Sequence, residues 1–108
     1  MVKITFYQTA DGVPVGFDAW DHAEYADHGK DIVCAAVSVL MINTANAIEK
    51  FTDDHLTEEE GDGFLSIKLR CPPSEKAALL MNTLVLGLHS VQETYGKQFL
   101  KLSFRNQK

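Results

Sequence analysis

The sequence predicts an α+β fold, a two-layer α/β sandwich in ββαββαβ order with a mainly antiparallel sheet and two long helices. Two observations carry that expectation. Apolar residues alternate with polar ones at Val2-Ile4-Phe6, Val15-Phe17-Ala19, Leu65-Ile67-Leu69 and Leu100-Leu102-Phe104, the period of strands with one buried face. Between them, two longer segments centred on 32–42 and 77–88 are apolar without that alternation, as buried helices are.

The first strand opens the chain, and Thr9 to Gly12 turns it into a second over residues 13–20, making a hairpin. Residues 21–30, DHAEYADHGK, follow neither period and read as a ten-residue loop, longer than most connections and for that reason a candidate functional segment. Asp31 is placed to cap a helix from Ile32 to about Phe51. That helix is apolar on nearly every side through Ile42, which predicts deep burial. A short strand near 55–60, a reversal at Gly61-Asp62-Gly63 and a strand through Leu69 follow, ending at Cys71, Pro72 and Pro73. Ser74 caps a second helix to about Tyr95, Gly96 stops it, and the last strand closes the fold.

The 108 residues suit a single domain over 1–108, and 45% apolar with 23% charged residues is the composition of an ordered globular chain. The opening residues MVKITFYQTADG carry none of the marks of a secretory signal, and the longest apolar stretch, Ile32 to Ile42, is short of the roughly 20 residues a span needs. The expectation is a cytoplasmic protein without a membrane segment, with Cys34 and Cys71 reduced. A net charge of −5 argues against direct binding to nucleic acid and suits a basic polypeptide partner. One sheet covers one side of two helices, so the widely apolar second helix leaves surface either for a homodimer or for long loops to cover.

With Asp31 as the cap, Cys34 is the third helical position, where unpaired N–H groups and the helix dipole favour a thiolate. His22 stands twelve residues earlier, in a loop able to fold back, so a Cys-His pair is geometrically feasible. Three readings stay open on spacing alone. Cysteine is often a small core residue without function. His28, His55 and His89 are as available as His22. His22, His28, Cys34 and Asp31 also form a zinc-compatible donor set, although their spacing is unlike that of compact zinc modules.

The run His22-Ala23, Gly29 and Asp31-Ile32-Val33-Cys34-Ala35-Ala36-Val37-Ser38 resembles the signature of the ribosomal-processing cysteine protease family, first described as a conserved bacterial domain encoded among ribosomal protein genes. The resemblance extends over essentially the whole chain. It implies a catalytic Cys34, a catalytic His22, a homodimer, no cofactor and no metal. It also implies a task, removal of a short N-terminal extension from large-subunit ribosomal protein twenty-seven in Gram-positive and related bacteria. A non-catalytic peptide binder in ribosome assembly is the alternative from another class. A redox or acyl-transfer enzyme would want a resolving cysteine near Cys34 or a cofactor loop, and the sequence offers neither.

Four further residues carry expectations around that pair. Asp31 has two candidate roles, helix cap and orienter of His22. Ser38, four residues after Cys34, shares its helix face and is available either to the site or to its own backbone. Gly29 fits a turn into the helix. Asp21 stands where the family usually has glycine, a departure that restricts the backbone and brings a carboxylate able to favour charged His22. Finally, Asp53, Asp54, Glu58, Glu59, Glu60 and Asp62 form an acidic run, either a solvated face or an attractor for a basic substrate.

Overall fold

The computed structural model describes residues 1–21 and 28–107, with the side chains of 28–31 excepted. The alternating segments are strands β1 (Val2–Gln8), β2 (Pro14–Asp21), β4 (Phe64–Leu69) and β5 (Leu100–Asn106), joined by β3 (Leu56–Gly61) and by helices α1 (His28–Phe51) and α2 (Glu75–Tyr95). The element order is the expected ββαββαβ, and the sheet runs β3-β4-β2-β1-β5. Every pairing is antiparallel except β1 with β5, so the sheet is mixed.

Period two gives each central strand one face toward the helices. Val2, Ile4 and Phe6 of β1, Phe17 and Ala19 of β2, and Ile67 and Leu69 of β4 are buried in one cluster with Val33, Val37, Met41 and Ile48 of α1 and Ala77, Met81, Leu84 and Leu88 of α2. Each fully buried aliphatic or aromatic side chain there contributes about 1.5–3 kcal/mol by leaving water. The opposite face is polar: Tyr7 donates a 2.7 Å hydrogen bond to Asp18 Oδ2, and Lys68 Nζ stands 5.2 Å from the centre of the Tyr7 ring.

The start of α2 is as expected. Ser74 has extended backbone angles and its hydroxyl accepts from the Ala77 amide at 3.1 Å. Asp54 reinforces the cap by accepting from both the amide and the hydroxyl of Ser74. Those bonds, the side-chain one first, hold the Asp54 carboxyl below its ordinary value. At the crossing of the two helices Gly87 admits Leu40, whose methyl carbons would lie 3.3 Å from a Cβ at that position.

Five expectations are corrected. Asp21 is the last residue of β2 rather than the first of a loop, because its amide donates to the Gly63 carbonyl at 2.8 Å and continues the pairing. Helix α1 starts at His28, so Gly29 and Asp31 are inside it: Gly29 is not the turn into the helix, and Asp31, a full turn in, is not its N-cap. Gly61 belongs to β3 and pairs with Phe64, leaving Asp62 and Gly63 as the reversal. The deep burial expected of α1 does not hold either, since Val39 and Ile42 are 66% and 53% exposed, and on α2 Leu79 and Leu86 are similarly open. The 20 residues Ile32–Phe51 also have the length and composition of a membrane span, contrary to the expectation from the shorter stretch. Val33, Val37, Met41, Ala45 and Ile48 from that same segment are packed in the core.

Candidate active site

A cleft of about 230 Å³ opens where the N-terminal half of α1 passes over the end of β2 and the tip of the β3–β4 hairpin. Cys34, Ser38, Met41 and Ile42 line it from the helix, Ala19 to Asp21 from β2, and Glu60, Gly61 and Gly63 to Leu65 from the hairpin. Spacing explains the helix side: Cys34, Ser38 and Met41 recur at intervals of four and three, along one face.

Strand periodicity explains the other side. Phe17 and Ala19 are packed in the core with the helices, and Asp21, two residues further, continues that row. The apolar row therefore ends in an acid beneath the helix. Its Oδ2 accepts a hydrogen bond from Cys34 Sγ at 3.3 Å. The backbone of Asp21 is held by the Gly63 carbonyl, and Trp20 beside it lies against Phe64 with ring centres 4.2 Å apart.

Cys34 is half-buried and joined to no disulfide. It is the seventh residue of α1, past the first four N–H groups that a helix leaves without intrahelical partners. The expected support from the helix terminus is corrected accordingly, since the dipole's influence falls off within the first turn.

Of the histidines, His55 and His89 do not line the cleft: His55 is in the segment between α1 and β3, and His89 stacks on Phe104 at 6.0 Å. His22 lies outside the described residues, as do the side chains of His28, Gly29 and Asp31. Ser38 is exposed on the cleft wall. Among the described residues no group of three or more His, Cys, Asp or Glu is arranged to hold a metal ion. The contact between Asp21 and Cys34 has no counterpart among the expectations from sequence, and the expected influence of the Asp21 carboxylate on His22 lies outside the described residues.

The model for the family described as cysteine protease Prp matches residues 1–100. The ribosomal processing cysteine protease Prp of Bacillus subtilis is 26% identical over 103 residues, covering 88% of this chain and 90% of that protein. A crystal structure from Streptococcus mutans superposes with a TM-score of 0.82 at 32% identity, covering 99% of this chain and 96% of that one. The Staphylococcus aureus Prp protease in complex with a substrate peptide superposes with a TM-score of 0.89 at 22% identity, covering 97% of this chain and all of the other.

Proposed function

This chain belongs to the Prp cysteine protease family, and from that membership we propose that it is a ribosomal-processing endopeptidase with Cys34 as nucleophile and His22 as general base. The observation that carries the reading is the position of Cys34 on the wall of a cleft to which α1, β2 and the β3–β4 hairpin all contribute. A peptide laid against that wall meets the thiol directly.

His22 takes the proton of Cys34 as Sγ attacks the scissile carbonyl carbon, and the tetrahedral adduct collapses to a thioester as His22 returns the proton to the departing amine. Water, deprotonated by His22, then attacks the thioester, and the thiol is released with the new carboxylate. Two observations support His22: it stands at the histidine of the family motif that the run to Ser38 resembles, and of the other histidines His55 and His89 do not line the cleft, while the side chain of His28 lies outside the described residues. Asp31, a turn ahead of Cys34 inside α1, keeps the second of its two candidate roles, orienting His22.

The proposed substrate is the N-terminal extension of large-subunit ribosomal protein twenty-seven, in the cytoplasm of a bacterium. The acidic net charge and the open Glu58 to Glu60 edge suit a basic ribosomal protein. The proposed assembly is a homodimer, which gives the exposed Val39 and Ile42 of α1 and Leu79 and Leu86 of α2 a surface to bury against.

The test is incubation with the extended ribosomal protein, comparing this chain with a folded Cys34→Ala variant by mass spectrometry of the products. Cleavage at one bond by the parent alone is the expected result. Equal cleavage by both would end the assignment of the nucleophile, and binding without cleavage by either would favour the non-catalytic alternative.

A further inference from the structure

We propose that Asp21 is a positioning residue that holds Cys34 as the neutral thiol, raising the pH at which the nucleophile ionises. This rests on the reading of Cys34 as the nucleophile, and it concerns a position where the family usually carries glycine. The Asp21 carboxylate accepts from Cys34 Sγ at 3.3 Å. A bond in which the thiol is the donor exists only while sulfur keeps its proton, so it favours the neutral form. Once the proton leaves, two negative groups stand at the same separation, which disfavours the thiolate again. Both effects act in one direction.

The placement of the carboxylate follows from the fold. Asp21 continues the helix-facing row of β2, and its partner across the sheet is Val2. Its backbone is fixed by the Gly63 carbonyl at 2.8 Å. Gly63 comes so close that a Cβ there would lie 2.5 Å from the Asp21 oxygen, so the hairpin tip leaves the end of β2 little freedom to withdraw.

Among the described lining residues no cation stands opposite the carboxylate. The other titratable group facing the cleft is Glu60 of β3, a second acid, while β1 and β4 bring only Val2, Phe64 and Leu65. The helix dipole gives little relief at the seventh residue of α1. The cleft is open to solvent, so the expected displacement is about one pH unit, well short of the several units of a fully buried pair.

The test is the pH profile of alkylation by iodoacetamide on the full chain, in which the Cys34 thiolate displaces iodide and forms a C–S bond. Mass spectrometry of the Cys34 peptide reads the rate, and the exposed Cys71 serves as an internal control. Asp21→Asn keeps the size and an acceptor oxygen but removes the charge. Its Cys34 midpoint is expected to fall by about one unit while that of Cys71 stays put. The tenfold gain in thiolate is partly offset by the lower nucleophilicity of a more acidic thiol, leaving about threefold faster alkylation near pH 7. Asp21→Gly, the family's usual residue, is expected to show the same fall. In the unaltered protein, raising the salt concentration lowers the midpoint as the carboxylate is screened, a reading that depends on no variant. A Cys34 midpoint unchanged or raised in both variants, and insensitive to salt, overturns the proposal. A midpoint that moves as expected in a chain that cleaves no peptide leaves the proposal standing and sinks the protease assignment of Cys34.

Discussion

The Cα of Gly63 approaches the end of β2 so closely that any side chain there would meet the carbonyl oxygen of Asp21, and Gly63 also adopts a φ of 65°, which L side chains rarely take. The hairpin tip and the last residue of β2 are thereby one unit, with the Asp21 amide bonded to the Gly63 carbonyl. Gly63→Ala is expected to cost about 1–3 kcal/mol in urea unfolding from the strained backbone conformation, with the steric contact adding to it. Peptide cleavage is expected to fall as well, since β2 and the hairpin form two walls of the cleft. An unfolding midpoint equal to that of the parent would show that the approach is not tight in solution.

Much of this arrangement is legible in the sequence. Four alternating segments stand out because a half-buried strand imposes period two on its composition, and Ser74 stands out because a cap needs a side-chain oxygen at one place. The start of α1 is not legible, for a physical reason. Gly29 and Asp31 are the residue types of turns and caps, and His28 to Asp31 brings no apolar periodicity to outweigh them. The Asp21–Cys34 contact is recoverable in principle, because Val15, Phe17 and Ala19 continue to Asp21 on the same face. Starting the loop at Asp21 cuts that row one residue short. The exposure of Val39 and Ile42 cannot be read from a helix that is apolar all round, since composition gives the apolar faces but not which of them the sheet covers.

The Ser74 cap links α2 to the acidic segment and gives a stability that depends on pH. Ser74→Ala is expected to cost about 1 kcal/mol, as the Ala77 amide loses its acceptor. Asp54 has a folded pKa below its ordinary value of 3.8, so its contribution is fully present above that value and is lost as the pH falls through the folded one. The difference in stability between the parent and Asp54→Asn is therefore expected to be constant from pH 7 to about pH 5 and to shrink below pH 4. Thermal unfolding of both proteins across that range checks it. A difference that grows on acidification would contradict the bond pattern.

The open apolar positions on the two helices make the oligomeric state a direct test of the proposed dimer. Val39 and Leu86 are each about two-thirds exposed, so an aspartate at either costs the monomer little while placing a charge in any interface formed there. Val39→Asp and Leu86→Asp are expected to sediment as monomers at concentrations where the parent is a dimer. Unfolding should become independent of protein concentration in the same variants. A parent that sediments as a monomer at all concentrations would remove the proposal, and a dimer that persists in both variants would place the interface elsewhere.

The acidic run divides into two parts with different roles. Asp54 is committed to the Ser74 amide and hydroxyl, so it belongs to the α2 cap rather than to a surface field. Glu58, Glu59 and Glu60 are exposed on β3, the edge strand of the sheet, and Glu60 reaches the cleft. A basic substrate approaching that edge would be steered toward Cys34, an effect on encounter rather than on the chemical step. Reversing all three to lysine is expected to lower kcat/KM for a basic peptide about tenfold at low salt, with kcat nearly unchanged, and the loss should fade at high ionic strength. A neutral peptide with the same scissile bond should be cleaved equally well by both proteins. Rates for the basic peptide that are indifferent to the reversal at every salt concentration would reduce the run to a solvated edge, whose charges serve only to keep β3 from pairing with another strand.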